Sequence, residues 1–232
     1  RKKKKTDSDG TDITGATIDG KAVDEITIDG QTVFKSGPPA PAPSLAHYWT
    51  FDNADTSGST CLDTVGNKDG VIDGATTGVH GANDTYTTNE AYSFDGGSSD
   101  VELPTGVIPE SGYSLAIWFK GTDPDGIGYI YRFRGDTDAL LGRSSGSNAQ
   151  NLKFWDGGGF VDSGVQIGDG EFRQAVETYD GTTMKGYVDG VEKLSVSASK
   201  TDVGDNNNYI GNSDAQNRGF SGVIDDVRAY NK

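Results

Sequence analysis

The chain of 232 residues has one cysteine, Cys61, and two histidines, His47 and His80. A single thiol excludes an intrachain disulfide and any cysteine-based zinc site. His47 falls in a strand pattern and His80 in a glycine-flanked loop, and neither has the neighbours of a nucleophile–base triad. No stretch approaches the roughly 18 apolar residues of a membrane helix, so membrane insertion is not expected. The opening RKKKKTDSDG has the basic start of a signal peptide but no apolar run behind it, and is not read as one. Lysine is sparse after residue 5, and glutamate supplies only seven of the thirty-five acids.

What is abundant is aspartate and glycine. The formal net charge is −15; setting aside the five basic residues at positions 1–5 leaves fifteen basic against thirty-five acidic, a body of −20. Such a surface repels nucleic acid and anionic membranes, so nucleic-acid binding by the body is not expected. Heavy use of aspartate with little lysine fits a halophilic setting, where short carboxylates stay hydrated while salt screens their repulsion; turn-forming Asp-Gly pairs inflate the same count. The basic tip has the charge to touch an acidic partner, but a short charged tail is by default solvated.

Asp-Gly recurs eleven times between Asp9 and Asp189. It favours tight hairpin turns, whose central residues take positive φ. SLAIWFK (114–120), YIYRFRG (129–135), FRQAVETYDG (172–181) and MKGYVDGVEKLSV (184–196) alternate apolar and polar side chains, with no sustained helical period. The expectation is an all-β, two-sheet antiparallel jelly-roll sandwich. Ahead of it, TIDGKAV (17–23) is echoed by TIDGQTV (27–33), and KSGPPAPAPS (35–44) is a semi-rigid spacer. The predicted organisation is a basic flexible tip (1–12), a small β-hairpin docking segment (13–37), a Pro/Ala linker (38–44) and a globular head (45–232). Two short hairpins bury too little to stand alone, so the segment needs a host or further copies, which points to a homo-oligomer.

GVIDDVRAYN (222–231) sets a puzzle. Strict alternation places Asp225 with Val223 and Val227, and Asp226 with Ile224 and Arg228. Whichever face is buried then carries a carboxylate, which needs a cation, a metal or several hydrogen-bond donors.

Six segments in order resemble the laminin-G-like, concanavalin A-type jelly roll: AHYWTFDN (46–53), DTVGNKDG (63–70), AYSFDGGSSDVELP (91–104), YSLAIWFK (113–120), ETYDGTTMKGYVDG (177–190) and FSGVIDDVRAYN (220–231). EFRQAVETYDG (171–181) departs from the Trp-His the family commonly carries there. The resemblance implies that the first strand of the head pairs with the last, bringing Asp52 near Asp225 or Asp226. Converging carboxylates suit a structural Ca²⁺, which takes six to eight oxygen ligands and which domains of this family often hold. Asn67 and Asp69 are further candidates for the same or a second ion. The competing answer uses protein alone, with Arg228 or backbone N–H groups as the partner.

The residues bear on three function classes. Glycoside hydrolysis needs two carboxylates about 5–10 Å apart at a cleft; no Glu-x-Asp-x-Glu run exists, and the chain is not expected to be an enzyme. Glycan binding is the family's common role and calls for aromatics and planar polar groups on an open surface. KFWDGGGF (153–160) offers Trp155, Asp156 and Phe160, and SDAQNRGF (213–220) offers Asn217 and Arg218; Trp155 turned into the core is the structural alternative. Arg134-Gly135-Asp136 is too short to carry an adhesion argument, and Asn83-Asp84-Thr85 is a glycosylation sequon that permits an extracellular setting. The third class is structural. A docking segment, a spacer and a lectin-like head point to an external virion protein, a capsid decoration, turret or tail spike used for host attachment. Residues 1–37 would contact other virion proteins and the head would meet host glycans. The alternative is a secreted or cell-surface carbohydrate-binding adhesion module.

Overall fold

The computed structural model describes residues 16–18, 21–23, 25–28, 31–35, 44–82, 90–108, 112–123, 128–133, 138–144, 148–200, 206–213 and 218–231, the first four segments as backbone. The chain divides into two compact units, Arg1–Ala42 and Pro43–Lys232.

The first unit holds two antiparallel hairpins: β1 (Ala16–Ile18) with β2 (Lys21–Val23), and β3 (Glu25–Ile28) with β4 (Gln31–Lys35). Ile18 pairs with Lys21 and Ile28 with Gln31, so the two Asp-Gly pairs separate the paired ends.

The second unit runs β5 (Ser44–Trp49), a 3₁₀ turn (Asn53–Asp55), β6 (Thr56–Ser57), β7 (Thr60–Cys61), β8 (Gly70–Asp73), β9 (Thr76–His80), β10 (Glu90–Asp95), β11 (Asp100–Leu103) and β12 (Tyr113–Gly121). It continues through β13 (Tyr129–Phe133), β14 (Ala139–Gly142), β15 (Asn151–Trp155), β16 (Phe160–Gln166) and β17 (Arg173–Tyr179). The last elements are β18 (Thr183–Val188), β19 (Val191–Ser197), β20 (Asn208–Ile210) and β21 (Ser221–Asn231). One sheet has the order β19-β18-β17-β12-β21-β10-β9, with β5 also on β21; the other has β16-β15-β14-β13-β20-β11-β8-β7-β6. Every ladder between these strands is antiparallel, and the two sheets form a jelly-roll sandwich, as the alternation predicted.

The core lies between the sheets. β12 sends Leu115, Ile117 and Phe119 inward from one sheet, and β13 and β15 send Ile130, Phe133, Leu152 and Phe154 from the other. Each such side chain contributes about 1.5–3 kcal/mol on burial. The hairpin β18–β19 turns at Asp189 (φ 50) and Gly190 (φ 76), the left-handed pair that Asp-Gly supplies.

β21 is the structural hinge of its sheet. It pairs with β12 along its length, while its other edge is shared: β10 pairs with Ser221–Ile224 and β5 with residues 227–231. The first and last strands of the head are therefore neighbours. Where one partner gives way to the other, Asp226 takes φ 52 and the register against β12 slips between Ala116 and Trp118. This is a β-bulge, and it shifts the alternation by one residue. Ile224 faces the core before it, and Val227 and Ala229 face the core after it.

Candidate glycan-binding site and carboxylate cluster

The bulge changes the reading of the closing strand. Asp225 alternates with core-facing Ile224, and Asp226 with core-facing Val227, so both carboxylates stand on the outer side of the sheet. They are nonetheless buried, because the end of β5 and the segment after β9 fold over them. Asp225 Oδ2 accepts the Ala82 N–H at 2.8 Å, and Gly81 passes so close that a Cβ there would lie 2.6 Å from this oxygen. Asp226 Oδ1 accepts from the Tyr48 hydroxyl and, at 3.2 Å, from Arg228 Nη2. Arg228 also lies over the Tyr48 ring, 4.5 Å from its centroid. Tyr48 and Arg228 thus supply protein donors to Asp226.

Asp225 is different. Burial, then the charges of Asp226 and Asp52, push its pKa up to about 7. Burial also raises Asp226, against the pull of Tyr48 and Arg228. The Tyr48 hydroxyl rises to about 12 through burial and its bond to Asp226. Asp52 follows Phe51, whose φ of 65 turns the chain after β5 while its ring stacks on Tyr92 at 4.3 Å. Among the described residues, two buried oxygens, Asp52 Oδ1 and Asp225 Oδ1, have no hydrogen-bond partner. Unsatisfied carboxylate oxygens are the donor type a hard cation takes, and they are equally served by a proton. Among the described residues, no three His, Cys, Asp or Glu side chains gather into a metal-holding group.

Asn67 and Asp69 are not brought to this cluster. Both are exposed on the loop between β7 and β8, where Asp69 Oδ1 accepts the Asp63 N–H at 2.9 Å. The loop is organised by Asp63, which sequence reasoning missed. Its Oδ1 accepts the N–H groups of Tyr48, Val65 and Gly66, and its Oδ2 accepts the Lys68 N–H. His47 Nδ1 lies 2.6 Å from Oδ2. Burial opposes ionisation of Asp63, but these donors outweigh it and lower the pKa. His47 serves that loop, and His80 ends strand β9 with Nδ1 3.0 Å from the Gly81 carbonyl.

The predicted aromatic site sits on the other sheet. Phe154, like Leu152 on β15, faces the core, which turns its neighbour Trp155 outward. Trp155 and Phe160 form a cross-strand pair, ring centroids 5.1 Å apart and nearly perpendicular, and Tyr129 joins Phe160 at 6.2 Å. All three are half-buried. Tyr129 lies beside Gly142, its pairing partner on β14, and reaches Phe160 across β14 and β15. On the same face, Asn151 Nδ2 donates to Asp162 at 2.9 Å, and Asn148 Nδ2 donates to the same carboxylate at 2.9 Å. Asp156 Oδ1 accepts the N–H groups of Gly158 and Gly159, which fixes the glycine loop beside Trp155. Arg218 is connected through its backbone, its carbonyl accepting the Tyr129 N–H at 2.9 Å. Asn217, the sequon 83–85 and residues 134–136 lie outside the described residues. Sequence reasoning missed Tyr129 and Asn151; their distance along the chain hid a proximity that only strand pairing creates.

A first strand paired to the last, two sheets around one apolar core and an outward aromatic group frame the comparison with known proteins. The family described as the concanavalin A-like lectin/glucanases superfamily, of the laminin G type, matches residues 95–232, more than half of the chain. The chain belongs to this superfamily. Among solved structures, domain 4 of AbnA, a GH43 extracellular arabinanase from Geobacillus stearothermophilus solved with arabinotriose, is similar with TM-score 0.63 and 22% identity. That match covers 81% of this chain and 92% of the domain. A mutant Trypanosoma rangeli sialidase displaying trans-sialidase activity matches with TM-score 0.60 and 15% identity over 84% of this chain, but over only 32% of the sialidase. The binding domain of Paraclostridial Mosquitocidal Protein 1 gives TM-score 0.57 at 12% identity, covering 81% of this chain and 48% of that one. At these identities the likeness shows the laminin-G-like, concanavalin A-like fold. The comparison with curated proteins gives no match. No helix among the described residues is long and apolar enough to cross a membrane.

Proposed function

We propose that the second unit of this chain is a non-catalytic carbohydrate-binding head, carried by an external virion structural protein that uses it for host attachment. The observation that carries the binding role is the outward group Trp155, Phe160 and Tyr129 beside the Asn151–Asp162 amide–carboxylate pair. Aromatic faces stack on the apolar faces of sugar rings, and neighbouring amides and carboxylates take the hydroxyls. Among the described residues Trp155 Nε1 and Asp156 Oδ2 take no hydrogen bond, leaving one donor and one acceptor beside the rings. The likeness to an arabinanase domain solved with arabinotriose supports the same reading. It also favours, as a second reading, a secreted or cell-surface carbohydrate-binding module.

A non-enzymatic role is supported by the closure of the acids that the fold brings together inside the head. Asp225 and Asp226 are sealed from solvent, and so is Glu177. A glycosidase needs its two carboxylates open on opposite sides of the scissile bond. In this reading Ca²⁺ is structural, held by Asp52 and Asp225, each with a buried oxygen that lacks a partner among the described residues, while Asp226 stays with Tyr48 and Arg228. The virion role draws on the repeated hairpins, the Pro/Ala spacer and the acidic head, with residues 1–37 as the docking part of a homo-oligomer.

Binding of the full chain to a glycan panel, with Trp155→Ala as control, tests the head. Light scattering of the chain with and without residues 1–37 tests the docking role: an oligomer lost on deletion is expected, and equal protomer counts would contradict it.

A further inference from the structure

Between the two sheets lies a polar group that glycan binding does not use. Glu177 on β17 points inward between Ala175 and Tyr179, and Lys200 follows β19. Both side chains are fully enclosed, and Lys200 Nζ stands 2.5 Å from Glu177 Oε1. The Tyr113 hydroxyl donates to the same oxygen at 2.7 Å. Tyr131, from the opposite sheet, donates to Oε2 at 2.8 Å. Burial, then the charge of Glu177, pushes both phenols well above their ordinary pKa, so they remain protonated donors.

The donor count is uneven. An ammonium group offers three protons, and here, among the described residues, it has one acceptor and the Tyr113 ring, 5.7 Å away. Each buried charge costs several kcal/mol that an incomplete pair does not recover. Moving one proton from Nζ to Oε1 removes both charges. It leaves a neutral amine touching a carboxylic acid whose other oxygen already accepts a hydrogen bond. Nζ touches Oε1, the oxygen bonded to Cδ, so amine and carboxyl carbon are neighbours. A nucleophile, an electrophile and an oxyanion donor are thus held together with water excluded.

We propose that Lys200 and Glu177 condense into an intramolecular amide. The Nζ lone pair attacks Cδ, the N–C bond forms, and the displaced electron pair settles on Oε2 under the Tyr131 hydroxyl. As the carbonyl re-forms, the Cδ–Oε1 bond breaks. Oε1 already carries the first proton, takes the second from the nitrogen it touches, and leaves as water. Nothing is oxidised or reduced, and no co-reactant is needed. The product is a neutral amide that ties β17 to the segment after β19, closing the β18–β19 hairpin in a loop. In a chain whose one cysteine is free and buried, this amide is the covalent staple a disulfide would otherwise provide.

The intact mass of the full chain, measured unfolded, reads the bond directly. The expected mass is one water below that of the sequence, and a protease digest yields a peptide pair joined through Lys200 and Glu177. Lys200→Met, which removes the amine, is expected at its full sequence mass. A wild-type mass equal to the sequence overturns the proposal, as does the same loss of water in Lys200→Met. Should that variant fail to fold, the wild-type mass and the linked peptide decide alone.

Discussion

Asp225 and Asp226, adjacent in sequence, stand on the same side of β21 because Asp226 occupies left-handed backbone at φ 52. Two like charges are thereby placed side by side under the end of β5, with one cation, Arg228, bound to Asp226. Among the described residues, Asp225 is left with the Ala82 backbone N–H and an unsatisfied oxygen. Positive φ is tolerated by aspartate better than by most residues, which fits an acid at this bulge.

The consequence is a dependence of stability on pH. Asp225 has a folded pKa of about 7, above its ordinary 3.8. A raised folded pKa contributes stability that is complete below about 4 and is lost as pH rises through about 7. The expected decline over that window is at most about 4 kcal/mol. Denaturant midpoints between pH 4 and 8, taken with a chelator, should fall for the wild type and flatten for Asp225→Asn. A decline that Asp225→Asn leaves intact would assign the titration elsewhere.

Calcium supplies the other means of satisfying the same oxygens. Saturating Ca²⁺ is expected to raise the thermal midpoint at pH 7.5 relative to chelator, with metal analysis returning bound ion. Asp52→Asn together with Asp225→Asn should abolish the rise. An unchanged wild-type midpoint with no metal bound would leave the proton as the sole occupant.

Asp63→Ala is expected to cost about 3 kcal/mol or more, because it strips the acceptor from four backbone N–H groups and from His47 at once. Urea unfolding at pH 7 measures it. Asp69→Ala, which removes one bond from an exposed side chain, should cost about 1 kcal/mol; equal losses would contradict the central place given to Asp63.

The fold was legible because its signals are local. Alternation in SLAIWFK names the inward residues of β12, and Asp-Gly at 189–190 names the turn of β18–β19. The bulge at Asp226 was not, since nothing in VIDDV marks where β10 ends and β5 begins as the neighbour of β21; strict alternation therefore put the two acids on opposite faces. Trp155 was placed as a candidate by its glycine-rich neighbours, but its direction depended on Phe154 claiming the core. Tyr129 and Glu177 were invisible as site residues for a related reason: each sits in an ordinary strand pattern, and its meaning comes from partners dozens of residues away.

The central claim is that Trp155, Phe160 and Tyr129 form a carbohydrate-binding surface. The most direct test is titration of the full chain with the glycans that score in a panel, alongside Trp155→Ala. The account predicts saturable binding that weakens about tenfold or more in the variant, at an unfolding midpoint close to wild type. Wild-type affinity retained in Trp155→Ala, or no binding to any glycan by the folded chain, would contradict it.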